Sequence, residues 1–194
     1  MKVIHLSDPH IHTKILNGID PVNRFKEALN HIIKNHQDAN LFVITGDLTH
    51  FGDEESYYRL NEILTKSALP KNLYPKLMIG NHDNRENIKK IFSNIPIDEN
   101  GFVQYFTEIN DKRFIFLDTN LPETDQGHFC KKRQGWLIDN LKNNNENKKI
   151  YLFMHHNPLP LAEKNSDEIG LQQREEFKNI IVANKDLIKH IFFG

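Results

Sequence analysis

The sequence predicts an α/β sandwich, and three observations carry that prediction. Short apolar runs rich in β-branched and aromatic residues recur along the chain, each closing on a polar residue or a glycine, which marks buried strands. Segments with apolar residues at helical spacing lie between them, so strand and helix alternate. The 194 residues are 38% hydrophobic and 26% charged, enough for one ordinary domain with a real core.

The elements follow in chain order. "KVIHLSDPH" runs through Val3, Ile4 and Leu6 into Asp8 and His10. Asp20-Pro21 opens the first helix, since Asp caps and Pro suits the first helical position, and Phe25, Leu29, Ile32 and Ile33 form its apolar face. "LFVITGD" (41–47) is the next strand and ends in Gly46-Asp47. "DEESYYRLNEILTK" (53–66) is a helix with acids in its first turn, which suits the helix dipole, and with Tyr57, Leu60, Ile63 and Leu64 inward. "KLMIGNHD" (76–83) is a strand ending in Asn81-His82, followed by a short helix over 85–94. "RFIFLDTN" (113–120) is a strand, and "RQGWLIDNL" (133–141) a helix that Trp136 packs onto the sheet. "KIYLFMHH" (149–156) ends in His155-His156, and "LQQREEFKNIIVAN" (171–184) turns Phe177, Ile180 and Ile181 inward. "HIFFG" (190–194) is the last strand.

Bulk composition narrows the function classes. A formal net charge of −1 leaves no electrostatic footprint for nucleic acid, whose binding rests on clustered Lys and Arg. The single cysteine, Cys130, makes no internal disulfide and suits a reducing, cytoplasmic setting. No secretory h-region and no membrane-spanning apolar run are present. The sequence is compatible with a homodimer and does not specify an oligomeric state.

In sheets of this class, ligands gather beyond the carboxyl ends of the strands. Asp8, His10, Asp47, Asn81, His82 and His155 all stand there. Carboxylate, imidazole and amide together form a mixed ligand set for divalent first-row metals. Asp8 and His10 are two apart, so an extended segment would point both the same way. Singly, such an Asp is more often a turn residue and such a His a hydrogen-bonded structural residue. Four strand ends carrying D-x-H, G-D, G-N-H-D and H-H in this order outweigh that reading.

Those blocks, "SDPHIH", "TGDLTHFG", "IGNHDNR" and "MHHNPLP", resemble the calcineurin-like metallophosphoesterases along essentially the whole chain. "LNGIDPVNRF" and "GDLTHFGDEESY" resemble the branch of bacterial cyclic-nucleotide phosphodiesterases and glycerophosphodiesterases. The resemblance implies a four-layer αββα sandwich and two divalent ions (Mn, Fe or Zn). It implies Asp8 and His10 on the first ion, Asp47 bridging, Asn81 and His155 on the second, and His82 acting catalytically beside the scissile phosphate. It further implies hydrolysis of a small phosphodiester, with a 3′,5′-cyclic nucleotide favoured, by a metal-bridging hydroxide. A phosphomonoesterase or nuclease on the same scaffold, or an inactive protein-interaction module, are the alternatives.

Other residues have competing readings. Arg85 is a phosphate contact or a solvated first-turn residue, and His156 a lining residue of the substrate pocket or a partner of backbone. Asp83 either orients His82 or caps the helix after it. His5 reads as structural, and His50 and His128 as loop residues that either reach the cleft or lie at the surface, the surface being favoured. The family's last block, G-H-x-H, stops here at Gly194. The expectation is therefore a single domain over 1–194, truncated at its C-terminus, whose native chain continues with the two missing histidines and further strands.

Overall fold

The computed structural model describes residues 1–194. Its secondary structure runs β1 (Val3–Leu6), α1 (Pro21–Asn35), β2 (Leu41–Ile44), α2 (Glu54–Lys66), β3 (Lys76–Leu77), α3 (Arg85–Ile91), β4 (Tyr105–Ile109), β5 (Lys112–Phe116), α4 (Lys131–Lys142), β6 (Lys149–Phe153), α5 (Lys164–Glu168), α6 (Arg174–Ala183) and β7 (Ile188–Phe192). The chain divides into two compact units, Met1–Ile95 and Pro96–Gly194. Each has its own sheet.

In the first unit the sheet is parallel, in the order β1-β2-β3. β2 is central and buried along its length, which is why it reads as an unbroken apolar run. Val3 pairs with Leu41 and Leu6 with Ile44. Asp20 caps α1 by accepting the Asn23 amide at 3.0 Å, and Phe25, Leu29 and Ile32 are buried from that helix. Asp53 caps α2 by accepting the Ser56 amide at 2.9 Å, and the four apolar residues expected inward there are buried. The run 76–83 is strand only over Lys76–Leu77. Met78 still donates to the Ile44 carbonyl at 3.1 Å, but the Gly80 amide turns to the Asp83 carboxylate at 2.9 Å, so the backbone leaves the ladder.

In the second unit the order is β4-β5-β6-β7. β4 and β5 are antiparallel, and the β5·β6 and β6·β7 pairs are parallel. The sequence reading places no strand at β4. It is an edge strand with Phe106 and Glu108 outside the core, and its hairpin turns through Asn110 at φ 55°. Its partnership is made by side chains: Arg113 Nε donates to Glu108 Oε1 at 2.8 Å and the guanidinium lies 4.6 Å from the Phe106 ring centroid. Leu137 and Leu141 of α4 and Phe177 and Ile180 of α6 join Leu152 and Ile150 of β6 in one core, with Trp136 packed on it. The short helix α5, capped by Glu163, is a further element without an apolar signal in the sequence.

Phe177 is 1% exposed and meets the Phe129 ring edge-on at 5.6 Å. Phe177→Ala is expected to lower unfolding free energy by about 3–5 kcal/mol in urea denaturation, whereas Val182→Ala on the exposed side of α6 changes it by less than ~0.5 kcal/mol.

Candidate metal centre

The loops following β1 and β2 run side by side. Asp8 N–H donates to the Gly46 carbonyl at 3.2 Å, His10 N–H to Asp47 at 2.9 Å and Ile11 N–H to Leu48 at 3.0 Å. Three of the donor residues take left-handed backbone here: Asp8 at φ 57°, His10 at 42° and Asp47 at 48°. This corrects the expectation that Asp8 and His10 share a side through extended chain. They converge because both are kinked, at a cost of about 1–2 kcal/mol per residue. His10 Nε2 lies 3.7 Å from Asp8 Oδ1 and 3.5 Å from Asp47 Oδ2, and His82 Nε2 lies 3.9 Å from the same Asp47 oxygen.

The spacing bears on whether a metal fits. Two donor atoms at ~2.1 Å from one ion lie roughly 3.0–3.4 Å apart at octahedral to tetrahedral angles. An imidazole and a carboxylate free to pair directly close to about 2.7–2.9 Å. The observed separations of 3.7, 3.5 and 3.9 Å are wider than a direct pair and somewhat wider than a closed coordination shell, which leaves room for an ion between the donors. One ligand atom from each of Asp8, His10 and Asp47 falls within 4.8 Å of the others, and the same holds for His10, His50 and His82. Burial, more than the neighbouring Asp47 opposes it, pushes the His10 imidazole below its usual range, which leaves it neutral and able to offer a lone pair.

His82 Nδ1 lies 2.7 Å from the His50 carbonyl oxygen. A carbonyl only accepts, so Nδ1 carries the proton and Nε2 is the nitrogen facing Asp47. His82 N–H also donates to Asp47 Oδ1 at 3.0 Å. The half-exposed His50 thus reaches the cluster, the less favoured of the two readings that the sequence offers. Its ring stacks on His82 at 5.2 Å, and its Nδ1 is 3.4 Å from His10 Nδ1. The signal available in the sequence was its place in the same G-D-x-x loop as Asp47. Gly52, at φ +65°, allows this approach: a Cβ there would stand 2.9 Å from the Asn84 amide nitrogen.

Asp83 does not cap the helix after it. Asn84 caps α3, accepting the Glu86 and Asn87 amides at 3.0 Å each. The buried Asp83 carboxylate instead accepts from the amides of Leu48 at 2.9 Å, Thr49 at 3.1 Å and Gly80 at 2.9 Å, and from the Tyr57 hydroxyl at 2.8 Å. Burial pushes its carboxyl up to about 6.

Among the remaining residues, Asn81 is half-buried in the turn between Gly80 and His82, and Arg85 is the half-buried first residue of α3. His5 Nε2 meets Thr45 Oγ1 at 2.8 Å. His155 and His156 follow β6 in the second unit and are both buried. His156 Nδ1 is 2.7 Å from Thr119 Oγ1, so it bonds to a side-chain hydroxyl, and Gly127 lies against its ring. His128 is at the surface with Gln172 at 3.2 Å.

A family model described as calcineurin-like phosphoesterase matches residues 1–194. The chain belongs to this family. Its members are hydrolases of phosphoric esters that use divalent metal ions. The chain is 32% identical over 189 residues to a probable cyclic nucleotide phosphodiesterase of Rhodopseudomonas palustris, covering 95% of this chain and 68% of that protein. It is 31% identical over 176 residues to a probable glycerophosphodiester phosphodiesterase of Arcobacter nitrofigilis, covering 89% and 63%. A cAMP/cGMP dual specificity phosphodiesterase of Mycobacterium tuberculosis is 26% identical over 166 residues, covering 81% and 50%. The chain thus spans 50–68% of the length of these curated relatives. A purple acid phosphatase of yellow lupin superposes with TM-score 0.71 at 13% identity, over 99% of this chain and 37% of that one, which shows the metallophosphoesterase fold. No helix is long and apolar enough to cross a membrane.

Asp83→Ala strips five donors, the Thr49 hydroxyl included, of one acceptor and is expected to cost about 3 kcal/mol or more, read by urea denaturation. Burial also pushes the His156 imidazole down to about 3. The unfolded chain then binds the extra proton first, so stability is intact above an unfolded pKa of about 6.5 and declines as pH falls toward the folded value. His156→Gln is expected to flatten the fall in urea midpoint between pH 6.5 and 4.

Proposed function

We propose that the protein hydrolyses small phosphodiesters, with a 3′,5′-cyclic nucleotide as favoured substrate and two divalent ions (Mn, Fe or Zn) as cofactors. The observation that carries the reading is the convergence of Asp8, His10 and Asp47 donor atoms at coordination-like spacing, with His82 Nε2 beside the same carboxylate. Asp8 and His10 would hold one ion, and Asp47 would be the carboxylate shared with the other. Asn81 and His155 are assigned to the second ion on their motif blocks alone. When bound, the ions supply Lewis acidity toward the phosphoryl oxygens and a nucleophile at neutral pH.

The remaining chemistry belongs to the chain. His82 is held by its Nδ1–H on the His50 carbonyl, so its Nε2 is the nitrogen that meets charge on the phosphoryl group or hands a proton to the leaving oxygen. Arg85 and His156 are proposed as substrate contacts. The relative from Arcobacter nitrofigilis favours a glycerophosphodiester as the second reading.

The test is Mn(II)-supplied protein assayed on cyclic AMP and on sn-glycero-3-phosphoethanolamine. Metal-dependent release of product from either supports a phosphodiesterase, and undiminished turnover after chelation overturns it. Asp47→Ala is expected to lower kcat/KM by at least about a hundredfold and to reduce bound metal in elemental analysis of the purified protein.

A further inference from the structure

A cavity of about 530 Å³ opens beside the donor cluster, with Asp8, His10 and His82 at one end. That volume suits a drug-sized ligand, and a phosphoryl group alone would leave most of it empty. Beyond the residues around β1 and His50, the wall comes from two places. Pro21, Arg24, Phe25 and Ala28 line it from α1, and their spacing of three, four and seven residues is one face of a helix. Leu16 and Ile19 line it from the loop before α1. That loop is a tight turn: Leu16 and Ile19 exchange both backbone hydrogen bonds at 2.8 Å, and Asn17 and Gly18 between them take φ 49° and 79°.

This wall is mainly apolar and open to water, with Ile19 43% exposed. Ser7 and Asn17 add polar groups to a lining that is otherwise mainly apolar away from the donor cluster, so a polyol such as glycerol would face more apolar wall than its hydroxyls can pair with, which disfavours it. A flat ring with apolar faces and a polar edge suits such a wall. Arg24 is the only cationic side chain lining the cavity. Arg59, Arg113 and Arg174 each pair with a carboxylate, while the Arg24 guanidinium makes no ion pair or hydrogen bond within the protein. A planar guanidinium stacks on aromatic faces and is weakly hydrated, so it is well suited to lie over a heteroaromatic base.

We propose that this cavity receives the nucleoside of a cyclic nucleotide, and that Arg24 is the residue that selects it by laying its guanidinium on the base. The inference rests on the phosphodiesterase reading and narrows its substrate class from small diesters to nucleotides. It assigns discrimination against glycerophosphodiesters to the α1 face and the turn before it.

Adenosine tests the pocket separately from the chemistry, because it carries no phosphate. Calorimetric titration of adenosine into the chelated, metal-free protein is expected to show binding that Arg24→Ala weakens about tenfold and that Arg24→Lys, which keeps charge but not the plane, does not restore. In Mn(II)-supplied protein, Arg24→Ala is expected to lower the ratio of kcat/KM for cyclic AMP to kcat/KM for sn-glycero-3-phosphoethanolamine about tenfold. Arg24 is exposed, so an unchanged melting temperature is expected to accompany the loss. Failure of adenosine to bind, or an Arg24→Ala variant with wild-type adenosine affinity and an unaltered ratio, overturns the pocket while leaving metal-dependent diester hydrolysis intact. Arg24-dependent adenosine binding by a protein that turns over no phosphoester supports the pocket and sinks the hydrolase reading.

Discussion

The Asp83 carboxylate holds the first unit's loops in place, and the candidate metal centre depends on it. A buried acid is tolerated only when its lone pairs are satisfied. Here three backbone amides and the Tyr57 hydroxyl do so. The amides belong to the segment after Asp47 and to the turn before Asn81, so one side chain ties two ligand-bearing loops together. Tyr57 extends the tie into α2, and its hydroxyl also accepts the Asn84 amide at 2.9 Å. One of these bonds also draws the chain out of the sheet after β3: Met78 still donates to Ile44, but the Gly80 amide turns to Asp83.

On that frame, the site keeps its donors apart at a backbone cost. Left-handed conformations at Asp8, His10 and Asp47 are unfavourable for non-glycine residues. They persist because the loops after β1 and β2 bond to one another along their length. The result is imidazole and carboxylate groups spaced too widely for direct hydrogen bonds and nearly right to share an ion. His50 completes the arrangement without being a block residue in the family motif: its carbonyl sets the tautomer of His82 and its ring stacks on it.

Much of the fold was legible because burial imposes a visible pattern. β2 reads as a continuous apolar run since it is central in a parallel sheet, and α1 and α2 show their caps and inward faces in the residue types alone. β4 was not legible. As an edge strand it has one face in the core, and its pairing rests on Arg113 reaching Glu108 and Phe106, contacts that no local pattern announces. Asp83 was misread for a related reason. An acid before a helix resembles a cap, and only the packing of three loops around it reveals another use. The sequence leaves His50 between cleft and surface because its partners lie 40 and 32 residues away.

By itself the sequence determined the alternation of strand and helix, the family, and which residue types stand beyond the strand ends. These are local or pairwise properties: period, caps, and short motifs whose chemistry needs Asp, His and Asn. Tertiary structure decided which of those side chains meet, through what backbone strain, and at what distance. It also placed Arg24, an ordinary helix residue in sequence, on the wall of a cavity beside the donor cluster. Arg24 stands on the helix beside Phe25, which with Leu29 and Ile32 is buried, and no local pattern announces the cavity that the turn before α1 completes.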